Sequence, residues 1–378
     1  MKIGQVIHTY WPHIGGIENY ALRLSKFLEA EGHQVTIYTT DLSFQGQSRT
    51  RAEGNARYCK TNLSVLRNPF SWEFRRILSQ SGEDIYHLHS PWFLTSLQAA
   101  WILRNKPKVM TVHSAEIRSR NLATKILNTC YSPFAKYALS HMDRLITLGE
   151  KEKDVLSARF GLLNEKIISI PNGIETGSFR RDENEISAFL NKTGIRPDTF
   201  KILFVSRLVE AKNPEKLIGA AVKYMQDERG IELILIGGGD ADRVNYLRQI
   251  SDDRVHILGE VSQQELVAAY NISDLFVFLG SWEGMPTVIF EAMSCGLPIL
   301  TVPVGGIPDV ITEGENGFFI SLPVNEEELS YSIRHIMKNV DLPRIREANR
   351  QKVSQNYSWE IIQQRILEVY TQVLKERA

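Results

Sequence analysis

The sequence predicts an α/β protein made of two doubly wound parallel-sheet units in tandem. Three observations carry that prediction. At 378 residues the chain is longer than one compact core usually supports. Short apolar runs alternate along it with stretches of helical period, the pattern of a parallel sheet covered by helices on both faces. The alternation lapses near residue 175 and starts again near residue 201.

In the first half, residues 2–7 read as a short buried strand, 12–16 as a Gly-containing loop, 18–31 as a helix and 34–38 as the next strand. Further strands are expected at 85–88, 109–112, 145–147 and 167–170, with helices between them. In the second half a strand at 201–206 leads into a helix over about 214–226. Strands follow at 232–236, 255–258, 275–278 and 299–302. The polar stretch 175–198, interrupted by Gly and Pro, reads as the linker and possible hinge. Residues 358–374 have apolar side chains at helical spacing and read as a closing helix.

Composition is that of an ordinary globular protein, with 43% apolar and 23% charged residues. The opening lacks a secretory h-region, and no segment reaches the roughly 18 uninterrupted apolar residues of a membrane span. The expected location is cytoplasmic, with peripheral contact on the inner face of the cell membrane left open. Cys59, Cys130 and Cys295 are odd in number and far apart, which is neither a disulfide framework nor zinc-ligand spacing. Zero net charge hides an asymmetry: residues 1–175 hold 22 Lys and Arg against 15 Asp and Glu, and the remainder 22 against 29. The excess is densest between Arg49 and Arg76, in Arg49, Arg51, Arg57, Lys60, Arg67, Arg75 and Arg76 against Glu53 and Glu73. Such a face suits anionic lipid or a phosphorylated acceptor, or it is a solvated surface.

Open parallel sheets bind ligands beyond the carboxyl ends of their strands, so residues just after strands are the candidates. Gly15 and Gly16 open the first helix, where free N–H groups and the helix dipole suit an anion. Arg207 and Lys212, after the strand at 201–206, could neutralise a diphosphate, Arg with its fork and Lys as a point charge. In SWEGMPTVIFEAMSCGLPIL, Glu283 sits in a loop, Pro286 suits a first helical turn, and Glu291 lies within the helix. Thr287 and Val288 N–H groups could hold phosphate oxygens, and the carboxylates could accept from sugar hydroxyls. His113 ends an inner strand; His87 and His89 end another, on one face, with no local third ligand for a metal. Structural or acceptor-side roles fit them.

Taken in order, GGIE, TVHS, IPNGIETGSF, SRLVEAKN, LIGGGD, ILGEVS, EGMPTVIFEAMSCGLP, GGIPDVITEGENGFF and YSWE resemble family four of the retaining glycosyltransferases (glycosyl transferases group 1) over nearly the whole chain. The resemblance implies the GT-B fold, two Rossmann-like domains facing across a cleft, with the last helix crossing back to the first. It implies an acceptor-side domain of residues 1–176 joined by 359–378, and a nucleotide-sugar donor-binding domain of 177–358. It implies that Arg207 and Lys212 bind the donor diphosphate, Glu283 the donor sugar and Glu291 the nucleotide ribose. Met285, Pro286, Thr287 and Val288 would meet sugar and phosphate through the backbone, with Val261 near the base. Gly15 and Gly16 would complete the phosphate site and His113 would lie near the reacting sugar. The sequence departs from the family at Gly149, where Ser is frequent.

The implied reaction is metal-independent transfer of a sugar to an acceptor hydroxyl with retention, in polysaccharide, lipid-linked oligosaccharide or glycolipid biosynthesis. The partners are a nucleotide-sugar and a carbohydrate or lipid-linked acceptor, with no cofactor, no metal and no nucleic acid. The departing phosphate would help to deprotonate the acceptor, since the sequence holds no obvious nucleophile. A nucleotide-sugar 2-epimerase of similar architecture and a non-catalytic sugar-nucleotide-binding protein are the competing readings. A dehydrogenase is disfavoured, because the three-glycine fingerprint with its following acid is missing.

Overall fold

The computed structural model describes residues 1–11, 15–44, 55–65, 68–114, 122–228, 230–281 and 284–378, with backbone alone for 122–128. The chain divides into two compact units, one of residues 1–171 with 362–378 and the other of 172–361.

The first unit holds strands β1 (Lys2–Val6), β2 (Gln34–Thr40), β3 (Ala56–Cys59), β4 (Leu63–Val65), β5 (Asn68–Phe70), β6 (Ile85–His89), β7 (Lys108–Val112), β8 (Arg144–Thr147) and β9 (Ile167–Ser169). Seven of them form one parallel sheet in the order β3-β2-β1-β6-β7-β8-β9. Strands β4 and β5 pair antiparallel as a separate hairpin. The inner strands β6 and β7 are buried at every position, as expected when helices cover both faces. From Ile362 onward the closing helix Trp359–Arg377 belongs to this unit: Gln363 donates to Arg23 O at 2.9 Å, and Tyr370 is buried against His87.

The second unit repeats the winding with β10 (Phe200–Val205), β11 (Ile231–Ile236), β12 (Val255–Gly259), β13 (Leu275–Phe278), β14 (Ile299–Thr301) and β15 (Gly317–Phe319), all parallel in the order β12-β11-β10-β13-β14-β15. The runs IELILI and LFVF are buried throughout and form the centre of its core.

The stretch expected to be a linker is instead built into this unit. Its helix Glu183–Thr193 packs on helix Gln263–Ile272 through Ile186 and Phe189, and Phe179 lies buried against Tyr270. The helix is amphipathic, and its polar outer face dominates the sequence of the stretch. Where the chain passes between units, its two crossings run side by side: Ile174 N donates to Tyr357 O at 2.8 Å and Trp359 N to Ile174 O at 3.0 Å. A side chain at Gly173 would sit 2.7 Å from the Trp359 ring.

In each sheet the strand order reverses beside the first strand, between β1 and β6 and between β10 and β13. At such a switch point the neighbouring connections leave in opposite directions and open a crevice at the carboxyl edge.

Candidate active site

In the second unit the crevice lies beyond Val205 and Phe278, and Arg207 and Lys212 come from the segment that leaves β10. The turn Glu210–Lys212 is fastened to the end of β13. Asn213 adopts φ 55° and its Nδ2 donates to Leu279 O at 2.8 Å, while Ser281 donates to Ala211 O at 3.1 Å from both N and Oγ. Lys212 lies half-buried with Nζ 5.3 Å from the centre of the Phe278 ring. A Cβ at Gly280 would approach Phe278 to 2.9 Å and Lys212 Cδ to 3.3 Å, so glycine gives the lysine stem its channel. Burial, and then the charge of the exposed Arg207, lower the Lys212 ammonium from 10.5 to about 8. Two cations whose mutual repulsion is felt across this edge are arranged for an anion.

The β11 exit packs on the β10 exit. Gly237 has φ 138°, a Cβ there would lie 1.9 Å from Ser206 O, and Leu208 N donates to Gly238 O at 2.8 Å. Only glycine permits that crossing. Gly237 N also donates to Gly259 O at 2.8 Å, and the half-buried Val261 follows two residues later.

After β13 comes helix Thr287–Ser294, entered through Pro286 in extended conformation without a side-chain cap. Thr287 is exposed and Val288 half-buried at its first turn. Uncapped N–H groups there suit phosphate or carboxylate oxygens. Met285 is buried; its carbonyl accepts from Asn172 Nδ2 at 3.3 Å, and Gly306 N donates to Gly284 O at 2.7 Å, which fixes the approach to the helix. Glu291, half-buried one turn in, accepts from the Tyr270 hydroxyl at 2.9 Å. Tyr270 is fully buried, so its hydroxyl aims the carboxylate. Glu283 lies outside the described residues.

In the first unit, Gly15 precedes helix Gly16–Ala30, and its N–H donates to Glu18 Oε2 at 3.0 Å. Glu18 is buried and its Oε1 accepts from Thr9 Oγ1 at 2.5 Å. A side-chain carboxylate therefore occupies the amide of Gly15, whereas Gly16 is exposed with open space around its Cα.

His113 follows β7 and sits half-buried beside His89, with rings 5.5 Å apart, and Tyr20 meets it edge-on at 5.0 Å. His87 and His89 stack at 4.5 Å. His87 bonds Tyr370 Oη at 2.5 Å and Thr111 Oγ1 at 2.7 Å, which makes it a structural anchor for the closing helix. Burial pushes His87 and His113 down to about 3 and His89 well below its ordinary value, so all three are neutral at pH 7. A surface pocket of about 610 Å³ beside Lys2, Gln34 and Arg57 reaches the amino ends of β1 and β2, the edge opposite the crevice.

The structure thus gathers Arg207, Lys212, Val261, Met285, Pro286, Thr287, Val288 and Glu291 on the carboxyl edge of one sheet, and Gly15, Gly16 and His113 on that of the other. Sequence reasoning missed Asn213, Tyr270 and Gly237. Glycine runs signalled Gly237, but nothing local ties Tyr270 to Glu291, 21 residues away. Among the described residues no group of three or more His, Cys, Asp or Glu could hold a metal ion, and no helix is long and apolar enough to cross a membrane.

A family model for glycosyl transferases group 1 matches residues 185–353, and one for glycosyltransferase family 4 matches residues 14–178. An uncharacterized glycosyltransferase of Methanocaldococcus jannaschii is 26% identical over 98% of each chain. The alpha-monoglucosyldiacylglycerol synthase of Acholeplasma laidlawii is 25% identical over 90% of this chain and 89% of its own. Anabaena HepE, solved in complex with UDP, superposes with a TM-score of 0.80 at 19% identity, covering 98% of this chain and 100% of that one. The chain belongs to family four of the glycosyltransferases, the glycosyl transferases group 1, and is a glycosyltransferase of the GT-B fold.

Proposed function

We propose that the chain moves a sugar from a nucleoside-diphosphate sugar to a hydroxyl of a lipid-linked or carbohydrate acceptor, retaining the anomeric configuration and using no metal in the chemical step. The observation that carries this reading is the placement of Arg207 and Lys212 together at the switch point of the second sheet, where their charges meet a leaving diphosphate. Helix Thr287–Ser294 adds N–H groups for phosphate or sugar oxygens, and Glu291, aimed by Tyr270, accepts from the ribose hydroxyls. Glu283 is assigned to the donor sugar. Val261 is assigned to the base, and Gly16 and His113 to the sugar. With charge supplied by two side chains and a helix terminus, the diphosphate can depart without a cation. Its oxygen then takes the acceptor proton on the face it leaves, which preserves configuration.

A lipid acceptor is supported by the surface of the first unit. Leu63, Val65, Trp72, Trp101 and Phe134 are exposed, and Arg75 lies over the Trp101 ring at 5.5 Å. The β5 strand and helix Glu73–Ser79 both pack on helix Leu94–Ile102, which brings the hairpin, Trp72 and Trp101 into one neighbourhood. Aromatic side chains among arginines suit an anionic membrane surface. The relative that makes monoglucosyldiacylglycerol points the same way. Of the basic stretch, Arg49, Arg51 and Arg67 lie outside the described residues.

A donor screen tests the proposal. The protein is incubated with uridine, guanosine, adenosine and cytidine diphosphate sugars in excess chelator, with and without an extracted lipid acceptor. Acceptor-dependent release of nucleoside diphosphate is expected; a strict magnesium requirement, or epimer formation without acceptor, contradicts it.

A further inference from the structure

Gln5 is a polar residue in the middle of the fully buried part of β1, and its bonds are directional. The Ala21 carbonyl can only accept. Ser25 Oγ donates to it at 2.8 Å, and Gln5 Nε2 donates to Ser25 Oγ at 2.7 Å and approaches Ala21 O at 3.3 Å. Turning the Gln5 amide over would set its oxygen against that carbonyl, so Oε1 must face the other way, toward His89 Nε2 at 2.9 Å. His89 therefore carries its proton on Nε2. Being neutral, it leaves Nδ1 as a lone pair, 3.2 Å from His113 Nε2. His113 must then donate from Nε2, which strips its Nδ1 of a proton. Among the described residues that Nδ1 meets no protein partner.

We infer that Gln5, Ser25 and His89 are positioning residues that lock the tautomer of His113, so that its Nδ1 is a hydrogen-bond acceptor at the carboxyl edge of β7 and selects a donor sugar bearing a hydroxyl at that point. The assignment of the hydroxyl to the donor rests on the proposed function; the tautomer does not. The relay runs from a main-chain carbonyl of helix Gly16–Ala30 through β1 and β6 to the end of β7, all inside the first unit. It sits at the reversal of strand order, where β1 and β6 are neighbours. Burial of His113 keeps it neutral across the working range, so the proton's location, and not its presence, sets the chemistry. A main-chain anchor makes the polarity independent of pH.

The test reads the imidazole ¹⁵N shifts of the full-length, ligand-free protein by long-range proton correlation. The wild type should show His113 and His89 each as the single Nε2–H tautomer. His113 protonated on Nδ1, or a mixture, overturns the inference whatever the enzyme transfers. Gln5→Leu removes the acceptor for His89 and should give mixed tautomers at both rings. The same variant should raise donor KM roughly 3- to 10-fold, the range of one neutral hydrogen bond, while affinity for the bare nucleoside diphosphate stays unchanged. A mixed tautomer with unchanged donor KM overturns the sugar contact and leaves the transfer reaction standing. Should Gln5→Leu fail to fold, the wild-type spectrum decides the tautomer, and donor KM for a sugar lacking each hydroxyl in turn decides the contact: one deoxy-sugar should be weakened, and uniform KM values overturn it.

Discussion

Lys212 separates function from stability in a way that can be worked from the structure. Replacing it with Met keeps the apolar stem against Phe278 and removes the charge. Holding the ammonium at about 8 instead of 10.5 costs the charged form about 3 kcal/mol, an upper bound because the side chain keeps some solvent contact. The sign follows from linkage: the folded state holds this proton less tightly than the unfolded chain, so the cost is fully present below pH 8 and fades as pH rises to 10.5. Lys212→Met should therefore be as stable as the wild type at pH 7, or more so, with a gain in Tm of up to roughly 2–4 °C per kcal/mol recovered. Loss of a charged contact made in the transition state should lower turnover on the order of 100- to 1000-fold. Thermal unfolding and steady-state transfer, measured on the same preparation, read both. Unchanged turnover, or a Tm several degrees lower, would exclude this role for Lys212.

The titration of Lys212 also predicts a basic limb in kcat/KM for the donor, falling as pH passes about 8 and absent from its profile in Lys212→Arg. Tyr270→Phe removes the hydroxyl that aims Glu291 and should raise donor KM by about 10-fold, with kcat little changed and weaker discrimination against 2′-deoxyribonucleotide donors. In Gly237→Ala the new methyl group meets the Ser206 carbonyl at a φ that side chains avoid. A loss of about 3 kcal/mol or more is expected, read as an earlier midpoint in urea.

The sheets were legible because central parallel strands are buried on both faces and appear as unbroken apolar runs, as in IELILI and LFVF. The missed strands lack that signal. Ala56–Cys59 is an edge strand that exposes Arg57 to the Tyr38 ring, Leu63–Val65 is exposed at every position, and Gly317–Phe319 has three residues. Arg207 and Lys212 could be chosen from position alone, since the carboxyl edge of a first strand is fixed by topology. Partners supplied from elsewhere could not. Glu291 receives Tyr270 from another helix, and His113 is governed by Gln5, more than a hundred residues earlier. Gln5 did leave one trace, a lone amide inside the apolar run KIGQVI. The reason for its burial is a chain of bonds that exists only once β1, β6 and β7 lie together.

Retaining, metal-independent transfer is tested most directly by the ¹H and ³¹P NMR time course of a nucleoside-diphosphate sugar incubated with the protein and a lipid or carbohydrate acceptor in excess chelator. One nucleoside diphosphate should be released for each new glycoside, with the anomeric coupling of the product matching that of the donor. A product of inverted configuration, or conversion of the donor that proceeds equally without acceptor, would contradict it.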